Sequence, residues 1–245
     1  MAEENLVYLL DGKIYINLTN KCTNECIFCI RTLKDDVCGA NLWLKNDNVT
    51  VEEVIKQLNA IKKESGSRCE PESACVEQAE QGEHNDSDVR VYKVNSTGAK
   101  DETEIVFCGY GEPTLKLEVL KEVAKFIKEN YKDVKVRLNT NGHANVVYKR
   151  NIIPELVGLV DEISISLNAP TEELYRELTR PNLVCENILE EVKDFIKKSV
   201  DAGIETTASV VEGYKGYDVN LKECEKTAQS LGAKFRVRKW LDEGY

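Results

Sequence analysis

A chain of 245 residues with 42% hydrophobic and 31% charged residues has enough apolar material to bury the core of an α/β domain. The net charge of −10 argues against unassisted binding to a nucleic-acid backbone, and no apolar run approaches the roughly 20 residues needed to span a bilayer. The start, MAEENLVYLLDGKIY, lacks the basic and apolar regions of a secretory signal, so a soluble, cytoplasmic protein is expected. In that compartment nine cysteines point to a metal site and scattered buried thiols rather than to disulfides.

The first predicted strand is residues 13–18 (KIYINL), where apolar and polar residues alternate. It runs into K-C-T-N-E-C-I-F-C, which places Cys22, Cys26 and Cys29 at C-x3-C-x2-C spacing. Thiolate sulfur is a strong ligand for iron, and three ligands at a site that takes four leave one metal position open for chemistry. A structural zinc site, or three unrelated thiols, is the alternative from the cysteines alone; zinc usually takes four ligands from C-x2-C pairs, and a second such pair is absent from the sequence. Residues 31–50 read as irregular, with Cys38, Gly39, Trp43 and Leu44, and Thr50-Val51-Glu52-Glu53 is a capping box that starts a helix with Val54, Leu58 and Ile61 on its apolar face.

From Glu64 to Glu102 the chain is polar, with ten acidic and four basic residues and therefore a net charge of −6. It is expected to be a surface insertion without chemistry within a single domain spanning 1–245, with a short hairpin strand at Val89–Val94 and an exposed His84; a lid or partner-docking arm carrying Cys69 and Cys75 is the alternative. Two cysteines there could assist a second cluster, but cannot hold one without help. Regular structure resumes with a strand at Glu104–Cys108 that enters Gly109-Tyr110-Gly111-Glu112-Pro113, then a helix with Leu120, Val123, Ala124 and Ile127 inward. A third strand, Val134–Leu138, closes on Asn139-Thr140-Asn141-Gly142; a helical segment near 145–158 leads to a fourth, Glu162–Leu167. Thr171 is the expected N-cap of the next helix, with Glu172 and Glu173 in its first turn. A helix near 184–201, a strand at Thr206–Val211, a helix near 218–231 and a strand at Lys234–Val237 follow.

Six strands separated by helices predict a parallel sheet, and six βα units are too few for a closed eight-fold barrel, so the expected fold is a partial (β/α)6 barrel of TIM type. The polar clusters all fall at carboxyl ends of strands: the cysteines, G-Y-G-E-P, N-T-N-G, Ser164 with Ser166 and Asn168, and Ser209 with Glu212. Parallel α/β architectures gather those positions on one side, where sites are built. Glycines at 109 and 111 would allow close approach to a ligand or a positive φ. His143 is expected in a neutral surface or structural role, Cys108 and Cys185 as buried thiols, and Arg180-Pro181 as a helix stop or as a cation near the mouth of the site.

The cysteine loop, down to Phe28 before the third cysteine, resembles the cluster loop of the radical S-adenosylmethionine (radical SAM) superfamily. G-Y-G-E-P is similar to its G-G-E-P element, with Tyr110 in place of a glycine, and L-N-T-N-G to its T-N-G element. The resemblance covers 13–30 and about 104–240; N-L-T-N-K-C-T-N-E-C-I-F-C-I-R with N-L-W-L at 41–44 looks most like the small radical SAM proteins associated with TatD-type nucleases. It implies a 4Fe–4S cluster on Cys22, Cys26 and Cys29, with SAM on the fourth iron and contacts to the cofactor from Phe28, Gly109, Tyr110, Gly111, Glu112, Pro113, Asn139, Thr140, Asn141, Ser166 and Asn168. Val210, Val211 and Glu212 correspond to the strand that meets adenine in that family. The implied reaction is reductive cleavage of SAM to a 5′-deoxyadenosyl radical that abstracts hydrogen from an unknown substrate. An external one-electron reductant of flavodoxin or ferredoxin type and a functional link to a TatD-type nuclease are the implied partners. A glycyl-radical-activating or deazapurine-type enzyme, a non-catalytic iron–sulfur electron carrier and a zinc-stabilised binding module are the alternatives.

Overall fold

The chain begins its sheet with a turn that only a left-handed backbone can make. In the computed structural model, Asp11 and Gly12 take φ of 50° and 75°, as a two-residue turn between antiparallel strands requires. They join β1 (Val7–Leu10) to β2 (Lys13–Ile16), pairing Val7 with Ile16 and Leu10 with Lys13. The sequence reading begins the sheet at Lys13; β1 is an addition to it. The structure describes residues 5–32, 34, 36–37, 40–66, 103–131 and 133–240. Expectations for Cys38, Gly39, Cys69, Cys75, His84 and the 89–94 strand lie outside those residues.

After β2 come the cysteine loop, a 3-10 turn at Ile30–Thr32, and a ribbon of β3 (Asp36–Val37) with β4 (Ala40–Asn41). Helix α1 (Val51–Gly66) starts on the expected capping box: the Glu53 amide donates to Thr50 Oγ1 at 3.3 Å, and the Thr50 amide to Glu53 Oε2 at 3.0 Å. The remaining elements alternate: β5 (Thr103–Phe107), α2 (Leu117–Asn130), β6 (Val134–Thr140), α3 (Ala144–Tyr148), α4 (Ile153–Leu156), β7 (Glu162–Ser166), α5 (Glu172–Thr179), α6 (Ile188–Asp201), β8 (Glu205–Glu212), α7 (Leu221–Ser230) and β9 (Lys234–Lys239). The single helix expected over 145–158 is two short ones, because Lys149 adopts a left-handed conformation (φ 52°) between them.

The sheet runs β1-β2-β5-β6-β7-β8-β9, and every neighbouring pair except β1 with β2 is parallel. The six expected strands are thus all present, in chain order, in a mostly parallel α/β sheet whose edges β1 and β9 do not pair with each other among the described residues. Side-chain alternation splits it into two faces. One face, with Ile16, Phe107, Val136, Leu138, Ile163, Ile165, Ala208 and Val210, is buried against α2 and α6 through Leu120, Val123, Ile127, Val192, Phe195 and Ile196. The other carries Asn139, Ser164, Ser166, Ser209 and Arg236 in adjacent register positions. A second apolar cluster of Tyr8, Val37, Leu42 and Tyr110 packs with Tyr15 where the β3–β4 ribbon meets the β1–β2 edge. Among the described residues no helix is long and apolar enough to cross a membrane.

Candidate active site

The cysteine loop is held by its backbone before any side chain contributes. Glu25 and Ile27 amides donate to the carbonyls of Thr179 and Leu178 at 3.0 Å each, and the Asn182 amide returns to the Thr23 carbonyl at 3.0 Å. The loop is therefore laid along the carboxyl end of α5, where Arg180 caps the helix in a left-handed conformation (φ 45°), as the helix-stop reading of Arg180-Pro181 requires. Arg31 donates to the carbonyls of Asn20 (3.2 Å) and Asn24 (3.4 Å) and closes the loop on itself. The segment before α1 is stitched to the same loop: Asn20 exchanges hydrogen bonds with the Leu44 backbone at 2.7 and 3.0 Å, and Asn17 donates to the Leu42 carbonyl at 2.7 Å.

Glu112 ties two further loops to this one. Its buried carboxylate accepts from Thr114 N (3.1 Å), Thr114 Oγ1 (2.7 Å), Thr140 Oγ1 (2.7 Å) and Asn141 N (2.8 Å), and its own amide donates to the Lys21 carbonyl at 2.8 Å. Burial pushes the Glu112 carboxyl above its usual range, opposed by those donors. Gly109 and Gly111 serve the same closure: a Cβ on Gly109 would collide with the Asn17 side chain, and one on Gly111 with the Thr19 and Lys21 carbonyls. Neither glycine needs a positive φ; the close approach they allow is to the chain itself. Pro113 opens the 3-10 turn Pro113–Lys116 and is buried. The Tyr110 ring is taken up by the second apolar cluster, and its hydroxyl donates to the Lys34 carbonyl at 2.7 Å.

The N-T-N-G loop reaches the cysteines through Asn141, whose Nδ2 donates to Thr23 Oγ1 at 2.8 Å and lies 3.8 Å from Cys22 Sγ. The Asn24 amide also points at that sulfur, at 3.4 Å. His143 is fully buried, with Nδ1 2.9 Å from Thr23 Oγ1 and Nε2 2.8 Å from the Tyr175 hydroxyl, so it is structural, and burial holds its imidazole down to about 4. Burial also raises the three loop thiols: Cys22 to about 11, with Glu112 and Cys29 adding to the rise; Cys26 further, with Cys29 and Cys22 adding; and Cys29, opposed by Arg31.

Beside the loop, the polar face of the sheet offers groups still seeking partners. The Oδ1 atoms of Asn139 and Asn168 are buried without hydrogen-bond partners among the described residues, and Asn168 is held left-handed at φ 57°. Ser166 stands half-buried between them in register, and Ser164 accepts from Arg236 at 2.8 Å. An open cleft of about 500 Å3 lies over Cys26, lined by Glu25, Ile27, Arg31, Thr32, Arg180 and Tyr214. Phe28 meets Tyr214 edge-on at 6.2 Å, and Tyr214 in turn meets Trp240 at 4.9 Å and Tyr217 at 6.1 Å. The sequence reading contains neither this aromatic group nor Arg236; the cations of β9 were visible as alternation in K-F-R-V-R-K, whereas the aromatics come together only through the fold.

A family model described as the Radical SAM superfamily matches residues 76–231, more than half of the chain. The chain belongs to the radical SAM superfamily. The match starts after the cysteine loop, so the loop's assignment rests on its own sequence and surroundings. Comparison with curated proteins gives no match. Among solved structures, the chain is similar to Streptococcus suis SuiB bound to S-adenosylmethionine (TM-score 0.56, 14% identity, 93% of this chain and 40% of that one). It is similar also to anSMEcpe with bound AdoMet (0.52, 13%, 93% and 51%) and to a spore photoproduct lyase mutant (0.54, 12%, 95% and 58%). At these identities the likeness shows a shared fold, and the chain spans about two-fifths of the length of SuiB.

The superfamily implies a 4Fe–4S cluster and SAM, and the residues present suit both. Cys22 and Cys26 are raised mainly by burial and further by their neighbouring thiols, and two N–H groups are aimed at the Cys22 sulfur, as clustered sulfurs require. Among the described residues no three His, Cys, Asp or Glu side chains converge on a single ion, so the fit rests on the three thiols sharing one loop and on the N–H groups at Cys22. The partnerless acceptors Asn139 Oδ1 and Asn168 Oδ1 suit a ligand rich in donors, such as the ammonium and ribose of SAM.

Proposed function

We propose that this chain is a radical SAM enzyme in which Cys22, Cys26 and Cys29 hold the cluster and the polar ends of β5–β8 receive SAM. When bound and reduced by an external one-electron donor, the cluster supplies the electron that cleaves SAM to methionine and a 5′-deoxyadenosyl radical. The observation that carries the reading is the interlocking of three loops at one end of the sheet: Glu112 joins G-Y-G-E-P to N-T-N-G, and Asn141 joins N-T-N-G to the cysteine loop. The protein's own part is positional. Glu112, Asn141 and His143 fix the loop that carries the thiols; Asn139, Ser166 and Asn168 offer acceptors and a hydroxyl to the cofactor; Phe28 and Tyr214 provide an aromatic wall beside Cys26. The superfamily's neighbours solved with AdoMet or S-adenosylmethionine support the cofactor.

The finer reading places the chain with the radical SAM proteins associated with TatD-type nucleases, on N-L-T-N-K-C-T-N-E-C-I-F-C and N-L-W-L, with the 64–102 stretch as an insertion in one core domain. SuiB is solved with its precursor peptide SuiA, so a peptide belongs among the substrates to be screened. Anaerobic iron and sulfide reconstitution followed by reduction in the presence of SAM tests the proposal. Release of 5′-deoxyadenosine is expected, Cys26→Ala should lose the cluster and Cys69→Ala should keep it; a fully loaded chain that leaves SAM intact would overturn the enzyme reading.

A further inference from the structure

The polar face of the sheet changes character along its length. At its lower end, charges are answered: Glu104 pairs with Arg137 (Nε–Oε1 3.2 Å) and with Lys13. Nearer the cysteine loop, β6 to β8 contribute neutral groups, Asn139, Ser164, Ser166 and Ser209, with Cys108 just past the end of β5. Into this neutral stretch β9 places Arg236 and Arg238, in register with Ser209 and Val211. Arg236 is half-buried, and its one hydrogen bond is to Ser164 Oγ at 2.8 Å. Its Nε is buried with no partner, and no carboxylate lies within ion-pair distance of it among the described residues. By contrast, Arg137, Arg150 and Arg176 each pair with a carboxylate. Burial raises the Cys108 thiol, just past the end of β5, opposed first by the Asn139 side chain and then by the charges of Arg238 and Arg137.

A half-buried guanidinium with no counter-charge beside it among the described residues carries a desolvation cost, and its planar fork of donors matches a carboxylate or a phosphate. We propose that Arg236 recognises an oxyanion on the substrate, a carboxylate or a phosphate, with the hydroxyl of Ser164 as a further donor. This rests on the radical SAM reading for the word substrate; the anion site itself rests on β9 and β7. SAM carries a carboxylate of its own, so the inference requires that the cofactor not occupy this position.

Calorimetric titration of inorganic phosphate and, separately, of succinate into the anaerobically purified full chain tests this, with and without saturating SAM. One of the two anions should bind the wild type, which tells phosphate from carboxylate. Arg236→Gln should weaken it by about tenfold or more, the scale of a lost charge-assisted pair, and bound SAM should leave the wild-type affinity unchanged. Circular dichroism checks the fold of the variant; should Arg236→Gln unfold, Arg236→Lys, which keeps the charge but loses the planar fork, must show the weakening instead. Absence of binding by either anion, wild-type affinity in the folded variant, or displacement of the anion by SAM overturns the inference. Release of 5′-deoxyadenosine by the wild type, assayed separately, keeps the two readings apart: anion binding that depends on Arg236 without SAM cleavage sinks only the enzyme, and SAM cleavage with Arg236-independent binding sinks only the anion site.

Discussion

Acid should loosen the cysteine loop through one buried histidine. His143 has no exposed surface, and its two ring nitrogens lie at 2.9 and 2.8 Å from the hydroxyls of Thr23 and Tyr175. Burial holds the folded imidazole down to about 4, against 6.5 for the free side chain. The unfolded chain therefore takes up a proton that the folded chain refuses. The stability that follows is complete above pH 6.5, declines as the pH falls from 6.5 toward 4, and is lost below 4. At about 1.4 kcal/mol per pH unit, the loss between pH 7.5 and pH 5 is about 2 kcal/mol, rising to about 3 kcal/mol below pH 4. Urea unfolding of the metal-free chain at the two pH values measures this, with His143→Gln as the control that cannot titrate. The variant should start less stable but lose about 2 kcal/mol less than the wild type on acidification; parallel losses in the two proteins would refute the reasoning.

Other consequences follow from the same packing. Gly111→Ala drives a Cβ into the Thr19 and Lys21 carbonyls, which should cost about 2 kcal/mol or more; an unchanged urea midpoint would show that the loops can separate freely. Glu112→Gln keeps the shape of a side chain that accepts four hydrogen bonds but turns a donor toward one of its partners. It should cost about 2 kcal/mol and lower cluster loading with all three cysteines intact, as read by iron content. Thr50→Ala removes an exposed cap and should cost about 1 kcal/mol with loading unchanged; an equal loss of iron there would mean that loading follows global stability rather than the loop.

What could be read from the chain was whatever repeats locally. The six parallel strands follow from alternation and spacing, and the Thr50–Glu53 box and the Thr171 cap each lie within four residues of their partners. The Asp11-Gly12 turn was equally local but sits beside VYLL, which is apolar throughout and lacks the alternation of a half-buried strand. The interruption at Lys149 has no sequence marker, because the residue that turns left-handed there is neither glycine nor asparagine. The site was legible in its residue types rather than in their partners. Glycines 109 and 111 announce a close approach, yet what they approach, the Asn17 side chain and the Thr19 and Lys21 carbonyls, lies some ninety residues earlier in the chain. Glu112 reads as part of a cofactor motif, and only the fold shows its carboxylate surrounded by Thr114, Thr140 and Asn141.

The fold thus separates the groups that shape the site from those left open toward it. Glu112 and His143 are the two titratable hubs among the three loops, and both have their polar atoms filled by neighbours within the protein. The Cys22 sulfur already receives two N–H groups. By contrast Asn139, Asn168 and Arg236 keep buried polar atoms on the adjoining face without partners among the described residues. A scaffold whose supporting groups are satisfied from within holds its geometry without a ligand, and holding reacting groups in place beforehand is where a protein adds to chemistry that a cofactor carries. Those three lie on or just past β6, β7 and β9, on the side not covered by α2 and α6, whereas Asn17, Asn24 and Asn145 keep such atoms within the loops and α3. That division, closed hubs behind the cysteines and open polar atoms beside them, is the physical reason to look for cofactor and substrate on the same face of the sheet.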